Sequence, residues 1–279
     1  MYCKLHHSLA DGVSGVGLLN FSTDPDASET PPIWAADRPR SARAPKVPGR
    51  FGAFSMLQAA FASQAKELPN LMQGLAGTVK AVFGVKPDPD FTSLAEAPRT
   101  IFNVNVTPQR RVATQATSLA RLKAIGEAAG GSINDVVLAA SSAAMRRFLL
   151  EIGELPRKSL VTSIPVALPR DSNQAGGNAI SFANVRLGTD IEDVRERFDV
   201  IRRSSTAGRE FLKQMSTKTL MDYTVLISSP QILTRLPGIG SRLPPTYNVI
   251  ISNVPGPRGK LYFMGSEMEA YYPISALFH

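Results

Sequence analysis

The sequence predicts an α/β fold. From residue 98 onwards, stretches with apolar residues at helical spacing alternate with short stretches that have the pattern of strands, and turn residues separate many of them. With 43% hydrophobic residues, the chain of 279 residues can bury a sizeable core, and its composition is not that of a disordered protein. This length allows one large domain or two smaller ones.

The first part of the chain is predicted to contain a strand end, a linker and apolar helices. Residues 2–5 have the pattern of a strand end, and residues 12–19 that of a short, tightly packed helix. Residues 22–50 are rich in proline and basic residues, which predicts a linker that is either a solvated loop or a basic strip on membrane phosphates. Residues 51–86 carry apolar side chains at helical spacing, with a division near Pro69. We expect helices that cover the core there, or an interfacial helix that meets lipid.

The second part of the chain is predicted to alternate regularly. The predicted strands are Ile101–Val106, Leu160–Leu168, Ala179–Leu187, Tyr247–Ser252 and Leu261–Ala270. The predicted helices are Ser118–Ala129, Ser132 to about Ile152, a helix capped by Asp190 with Ile191, Val194, Phe198 and Ile201 on one face, and Lys213–Ser228.

A motif of the form H-H-x-x-x-D-G follows the first predicted strand. His6 and His7 are two of only three histidines in the chain, and Asp11 and Gly12 complete the motif. Imidazole titrates near neutral pH, so a histidine at a strand end facing a cleft can take a proton from a hydroxyl or amine nucleophile. The aspartate can fold back to fix the loop, and the glycine lets a substrate approach the backbone.

Metal binding and covalent catalysis are weaker interpretations of this motif. Adjacent histidines on a strand point to opposite faces, and no third ligand cluster accompanies them, so we expect no metal. The chain has no G-x-S-x-G elbow and no P-loop, and its single cysteine, Cys3, lacks the neighbours of a known catalytic cysteine. One cysteine also excludes an internal disulfide framework and fits a reducing compartment.

The motif resembles the active-site signature of the CoA-dependent acyltransferase superfamily, which includes chloramphenicol acetyltransferases and condensation domains of peptide synthetases. Three further segments, residues 132–139, 251–258 and 271–279, are similar to signatures of the bacterial wax ester synthase/diacylglycerol acyltransferase family. Because these segments occur in order along the chain, the set is more specific than the histidine motif alone.

The resemblance implies an architecture of two chloramphenicol-acetyltransferase-like halves with a tunnel between them. Residues 1–97 would be the remnant of the first half with the linker and crossover helices, and residues 98–279 would be most of the second half. The catalytic strand would begin at residue 2, whereas relatives have several elements before it, and they continue beyond the last residue. We therefore expect a fragment truncated at both ends.

The resemblance also implies transfer of a fatty acyl group from acyl-CoA, a co-substrate, to diacylglycerol or a long-chain alcohol, with no cofactor. His7 would be the general base, and Asp11 would hold the loop through a buried ion pair. For His6 we expect a role in packing or in positioning His7.

Three residues of the second part have a structural and a functional interpretation. Ser132 and Asp135 form a capping-box pattern, and the resemblance adds a site-shaping role for Asn134 and Asp135. Asn253 either ends a strand or orients the reacting groups from the second half.

Two alternatives remain open at this point. The acceptor could belong to a condensation-like or small-alcohol acyltransferase, or the chain could be a catalytically incompetent fragment that associates with lipid. The net charge of +8 suits anionic partners such as lipid headgroups or CoA phosphates, and nucleic acid is the weakest candidate. No secretory signal or transmembrane run is visible, so we expect a cytoplasmic protein with peripheral contact at the inner membrane face or a lipid droplet.

Overall fold

The structure is a computed structural model that shows a mixed α/β architecture. It describes residues 88–94, 96–104, 107, 109–167, 180–215, 220, 223–224, 245–257, 259–263 and 266–274. The first predicted strand, the linker over residues 22–50 and the helices over residues 51–86 lie outside these residues. Two compact units divide the chain: the larger contains the described residues from 88 to 253 together with residues 273–274, and the smaller contains those from 254 to 272. The predicted domain boundary between residues 97 and 98 stays a prediction.

The larger unit contains three helices and a three-stranded sheet. In chain order its elements are a 3₁₀ helix Ile101–Asn103, α1 Leu119–Ala128, α2 Ile133–Glu151, β1 Val161–Ala167, β2 Ile180–Arg186, α3 Val194–Lys213 and β3 Val249–Ile250. The described part of the smaller unit contains β4 Tyr262–Phe263 and β5 Ser266–Glu267. The α/β class predicted from the sequence is confirmed.

The three-stranded sheet is mixed, with β1 in the centre. Its strand order is β2-β1-β3. β1 pairs antiparallel with β2 from Val161↔Arg186 to Ala167↔Ile180, and parallel with β3 at Thr162↔Val249 and Ser163↔Ile250. Side chains alternate between the faces of a strand, so this register places Ile164 with Ala183 on one face, where both are buried.

The core of the larger unit lies where α2 and α3 pack with this sheet. Its buried members are Leu138, Leu149, Leu160, Ile164, Ala183, Val185, Leu187, Ile201, Phe211, Leu212, Leu220 and Tyr223. Three aromatic side chains pack together in this core. The ring centroid of Phe211 on α3 lies 4.3 Å from that of Phe91 and 5.7 Å from that of Tyr223.

Three of the predicted helices and two of the predicted strands agree with the structure within a few residues. They are α1, α2, α3, which begins later than predicted, and the strands β1 and β2. The strand predicted over Tyr247–Ser252 is also present but shorter, because only Val249 and Ile250 pair as a strand. Of the helix predicted over Lys213–Ser228, the structure describes residues 213–215, where α3 ends at Lys213, and helical residues at 220, 223 and 224.

The strand predicted over Ile101–Val106 is wrong, because residues 101–103 form a 3₁₀ helix. Thr100 begins this turn: its hydroxyl accepts the Phe102 N–H at 3.3 Å, and the side-chain oxygen of Asn103 accepts the Thr100 N–H at 3.4 Å. Such local bonds from side chain to backbone compete with strand pairing. The alternation of apolar residues does not match burial either, since Val104 is 61% exposed.

The predicted cap of α3 is wrong by three residues. Asp193, and not Asp190, begins the helix, and its carboxylate accepts the N–H groups of Arg195 at 2.9 Å and Glu196 at 2.8 Å. Val194 is consequently 66% exposed, whereas Phe198 and Ile201, also predicted to face the core, are buried.

A buried arginine keeps the preceding loop outside the helix. Arg197 donates from Nη1 to the carbonyl of Ile191 at 2.9 Å and to that of Glu192 at 3.4 Å. Burial lowers the pKa of Arg197, and the positive charge of Arg146 lowers it further. The sequence pattern contains no sign of these carbonyl contacts, so it placed the helix start too early.

The single strand predicted over Leu261–Ala270 is also wrong. β4 and β5 pair antiparallel, with Tyr262 opposite Glu267 and Phe263 opposite Ser266, so the chain reverses within the predicted range. The Met268 N–H donates to the Leu261 carbonyl at 2.8 Å and extends this pairing by one bond. In the described part of the chain, no helix is both long and apolar enough to span a bilayer.

We expect Tyr223 to make the stability of the larger unit sensitive to alkaline pH. Burial raises the pKa of Tyr223 to about 12, against about 10 for an exposed tyrosine. Between these values the folded protein keeps a proton that the unfolded chain has lost, so the free energy of unfolding falls as pH rises. The fall that this group causes is at most about 2–3 kcal/mol.

Urea unfolding between pH 8 and 11.5 measures this fall. Tyr223→Phe should lose less stability above pH 10 than the wild type does. Tyr272→Phe, at a position that is 61% exposed, is the matched control and should follow the wild type. Equal losses in Tyr223→Phe and the wild type would contradict the assignment.

Candidate functional site

The start of α2 carries two of the predicted site residues, Asn134 and Asp135. The preceding helix α1 ends in a glycine turn: Gly130 has a φ of 66°, and the Gly131 N–H donates to the Gly126 carbonyl at 2.8 Å. Ser132 then caps α2, so only four residues, 129–132, separate the two helices. This short connection fixes where the first turn of α2 lies.

Asp135 is held by the capping box that the sequence predicts. Its Oδ2 accepts the Ser132 N–H at 2.8 Å and the Ser132 hydroxyl at 2.6 Å, and its own N–H donates to Ser132 Oγ at 3.3 Å. The capping interpretation of this pair is therefore confirmed. A carboxylate in the first turn also interacts favourably with the helix dipole.

Asp135 can accept a hydrogen bond in addition to those of the capping box. The residue is 2% exposed, and its buried Oδ1 has no hydrogen-bond partner among the residues that the structure describes. A buried oxygen without a partner costs free energy, so a carboxylate that only caps would be better placed with both oxygens satisfied or in water. Oδ1 can accept one further N–H or O–H group, which is what a site residue needs.

The ring of Phe198 on α3 covers this turn. A Cβ placed on Gly131 would lie 2.7 Å from Cζ of Phe198 and 3.4 Å from Oδ2 of Asp135. Glycine therefore allows the ring of Phe198 to approach residue 131 this closely. Because Asp135 is buried, water is largely excluded from it, which strengthens any hydrogen bond that the carboxylate makes.

Asn134 is half-buried in the same turn of α2. Among the described residues, its side-chain amide makes no hydrogen bond, so both its donor and its acceptor are available. Asn253 is exposed and lies two residues beyond Ile251, whose N–H donates to the Ser163 carbonyl of β1 at 3.2 Å. Asn253 thus lies two residues after the last described residue that is bonded to this sheet.

Within the described ranges, the predicted site residues at the start of α2 and the predicted site residue after β3 are not bonded directly to each other. No hydrogen bond or ion pair within the described ranges joins Asn253 to Asn134 or Asp135. His6, His7, Asp11 and Gly12 lie outside the described residues. In the part of the chain that the structure describes, no group of three potential metal ligands comes together.

One residue with a bearing on the site was not predicted. Asn248, which lies five residues before Asn253, is 5% exposed and makes its hydrogen bonds through its side-chain amide. An asparagine directly before an apolar strand is the only sequence signal for it, and that pattern is also typical of an ordinary strand boundary.

Comparison with protein families agrees with the motifs. The profile of the wax ester synthase/diacylglycerol acyltransferase catalytic domain matches residues 1–137, and that of the C-terminal domain of the same family matches residues 176–279. The chain belongs to the wax ester synthase/diacylglycerol acyltransferase family. The resemblance inferred from the motifs is confirmed.

Individual relatives support the same assignment. A putative diacylglycerol O-acyltransferase of Mycobacterium tuberculosis is 35% identical over 277 residues, which is 99% of this chain and 59% of that protein. The O-acyltransferase WSD of Acinetobacter baylyi is 33% identical over 279 residues, again 99% of this chain and 59% of that protein. This chain therefore spans about three fifths of the length of these relatives.

A solved structure also matches. The wax ester synthase/diacylglycerol acyltransferase from Marinobacter aquaeolei VT8 has a TM-score of 0.62 and 29% sequence identity. The match covers 95% of this chain and 54% of that one. It confirms that the mixed α/β fold is of the acyltransferase type.

We expect the two oxygens of Asp135 to be separable by substitution. In Asp135→Asn the amide oxygen can still accept from Ser132, while the amide NH₂ takes the place of the unpartnered Oδ1. Its free energy of unfolding should stay within about 1 kcal/mol of the wild type. Asp135→Ala removes the acceptor and should lose about 1–2 kcal/mol.

Urea unfolding of both variants at neutral pH makes this comparison. Equal destabilisation by the asparagine and the alanine would mean that the negative charge itself, and not the accepted hydrogen bonds, stabilises the start of α2.

Proposed function

We propose that this chain carries the site of an O-acyltransferase. The enzyme would transfer a fatty acyl group from acyl-CoA to the hydroxyl of diacylglycerol or of a long-chain alcohol. The observation that carries this proposal is the ordered match of both family domains, because each contains site residues predicted from the sequence. The names of the Mycobacterium and Acinetobacter relatives support O-acyl transfer as the reaction class.

His7 is the proposed general base. Its imidazole takes the proton of the acceptor hydroxyl as the oxygen attacks the carbonyl carbon of the thioester, which forms a tetrahedral intermediate. The intermediate collapses with cleavage of the C–S bond, and the CoA sulfur receives the proton from His7. An ester and free CoA result, and the histidine returns to its neutral form.

The other residues of the motif support this base. His6 positions His7, Asp11 fixes the loop that carries it, and Gly12 leaves space for the acceptor to approach the backbone. Holding two substrates in line would supply a large part of the rate, because it converts a bimolecular step into an effectively unimolecular one.

The start of α2 and the segment after β3 would complete the site. Asp135 Oδ1 is buried and has no partner in the described part of the chain, so it is suited to accept a hydrogen bond from a group of the site. The side-chain amides of Asn134 and Asn253 are donors that could stabilise the oxyanion of the tetrahedral intermediate or orient the reacting groups. In this proposal Asp135 has two separate tasks, one for each carboxylate oxygen.

We also propose that the protein binds the surface of a membrane or lipid droplet. Its net charge is +8, and residues 22–50 contain five basic residues among six prolines. Both acceptor classes are lipids that reside in such surfaces. Basic segments are attracted to anionic headgroups over about one Debye length.

Acyl transfer from palmitoyl-CoA to diacylglycerol and to hexadecanol tests the reaction. The proteins compared are this chain, this chain joined to the segments that the Acinetobacter relative has beyond the matched region, and the joined chain with His7→Ala. We expect the joined chain to form product. We expect His7→Ala to lower turnover by at least about 100-fold, which is the usual contribution of a general base.

Two controls make this experiment decisive. His6→Ala, at the neighbouring position, should lose much less activity than His7→Ala. The Acinetobacter protein, assayed in parallel, shows that the substrates are presented correctly. Absence of product from the joined chain with both acceptors, while the Acinetobacter protein is active, would refute the proposed function.

Liposome flotation tests the surface proposal. The chain should float with vesicles that contain anionic lipid at low salt, and high salt should reduce the bound fraction because it screens the attraction. Exchange of the five basic residues between Arg38 and Arg50 for glutamine is the matched variant, and it should float less at low salt. Absence of lipid association by the wild type at either salt concentration would contradict the proposal.

A further inference from the structure

β3 is attached to the sheet over a very short length. It consists of two residues, Val249 and Ile250, and pairs only with β1 in the described sheet. The Asn248 N–H donates to the Val161 carbonyl at 2.8 Å, and the Ile251 N–H donates to the Ser163 carbonyl at 3.2 Å. A strand with so few ladder bonds has little to fix its register except side-chain contacts.

The side chain of Asn248 provides such contacts in two directions. Its Oδ1 accepts the Val161 N–H of β1 at 2.9 Å. Its Nδ2 donates to the Pro98 carbonyl at 2.6 Å and to Asn103 Oδ1 at 2.8 Å, with a longer contact of 3.4 Å to Thr100 Oγ1. Because Asn248 is 5% exposed, water cannot readily replace these bonds.

Asn103 also makes hydrogen bonds to the residues at the start of β3. Its Nδ2 donates to the Tyr247 carbonyl at 3.0 Å, and its Oδ1 accepts from both Asn248 and the Thr100 N–H. Asn248 thus donates to Asn103, and Asn103 donates to the residue before Asn248, so this Asn103–Asn248 pair joins the 3₁₀ turn to the start of β3. The pair ties together segments that lie about 145 positions apart in sequence.

The register of β3 decides where Asn253 lies. A slip of one residue along β1 would shift the strand by about 3.3 Å and turn every following side chain to the opposite face. Asn253 is only two residues beyond Ile251, the last residue bonded to the sheet. Too little chain separates the two for such a slip to be absorbed before Asn253.

We propose that Asn248 is a positioning residue of the acyl-transfer site, and that it acts through Asn253. The Asn103–Asn248 pair fixes the register of β3 and so sets the position of the Asn253 amide. This inference rests on the proposed function, because it assumes that Asn253 belongs to the site.

Asn248→Asp is the main test variant. An aspartate keeps the Oδ1 acceptor for the Val161 N–H but places an oxygen against the Pro98 carbonyl and Asn103 Oδ1, where the wild type has a donor. Asn103→Ala is a second variant, which removes one acceptor of Asn248 Nδ2 and the donor to the Tyr247 carbonyl, and leaves the bond to Val161 intact. If the aspartate prevents folding, the alanine variant carries the same test.

Acyl transfer with the joined chain provides the first readout. We expect Asn248→Asp to lower kcat at least 10-fold with little change in KM for palmitoyl-CoA, and Asn253→Ala to lower kcat by a similar factor. The double variant should be no slower than Asn253→Ala alone, because both substitutions disturb the same group.

Thr189→Val is the matched control. Thr189 Oγ1 accepts the Leu160 N–H at 2.8 Å, and Asn248 Oδ1 similarly accepts the N–H of the neighbouring Val161. This control removes a buried bond next to β1 without touching β3. Its effect on kcat should multiply with that of Asn253→Ala. Multiplied effects for Asn248→Asp and Asn253→Ala would overturn the inference and leave Asn248 with a structural role only.

An NMR readout separates failure of this inference from failure of the proposed function. In protein labelled with ¹⁵N-asparagine, Asn248→Asp should shift the signals of Asn253 and leave those of Asn134 in place. If the wild-type joined chain has no activity, the proposed function fails and the shift still tests the positioning. Unchanged Asn253 signals would overturn the inference, whatever the activity.

Discussion

The side-chain amide of Asn248 joins the centre of the sheet to a turn that lies far away in sequence. Through Oδ1 it is bonded to β1, and through Nδ2 it is bonded to Pro98 and Asn103. Apolar packing would attach a short edge strand without specifying its register, since several alignments bury similar area. A buried amide with all of its hydrogen bonds satisfied permits one alignment, because any other leaves polar groups without partners.

The start of α2 is also held by hydrogen bonds from side chains, but one buried oxygen there has no partner among the described residues. Ser132 and one oxygen of Asp135 satisfy the helix end, and glycine at position 131 allows the ring of Phe198 to approach this turn closely. The second oxygen of Asp135 has no hydrogen-bond partner among the described residues. The side-chain amide of Asn248 is satisfied and one oxygen of Asp135 is not, which is the difference expected between a residue that holds a site in place and a residue that belongs to it.

The elements that were predicted well have strong local signals. Ser132 three residues before Asp135, with two glycines ahead, predicts the start of α2, and the apolar stretch Leu160–Leu168 predicts β1. The errors occur where contacts between distant segments decide the structure. The apolar alternation at residues 101–106 indicates a strand, but the carboxamides of Asn103 and Asn248 hold a 3₁₀ turn there. Asp190 resembles a cap as well as Asp193 does, and the structure distinguishes them by the N–H groups that Asp193 accepts and by the carbonyl contacts of Arg197.

The distinction between local sequence signals and contacts between distant segments also applies to the candidate site. Asn134, Asp135 and Asn253 belong to contiguous motifs, so their identity could be predicted from the sequence. The free Oδ1 of Asp135 and the role of Asn248 could not, because burial and partners 145 residues away are not encoded in a local pattern.

Native-state hydrogen exchange tests most directly whether Asn248 fixes the register of β3. Three amides are compared in the wild type and in Asn248→Asp, under conditions in which each exchanges by local opening. Those of Asn248 and Ile251 report on the pairing of β3. That of Leu187, which donates to the Leu160 carbonyl at 2.9 Å, reports on the pairing of β1 and β2. The account predicts at least 10-fold faster exchange of the first two and no change at Leu187. Equal acceleration of all three, or of none, would contradict it.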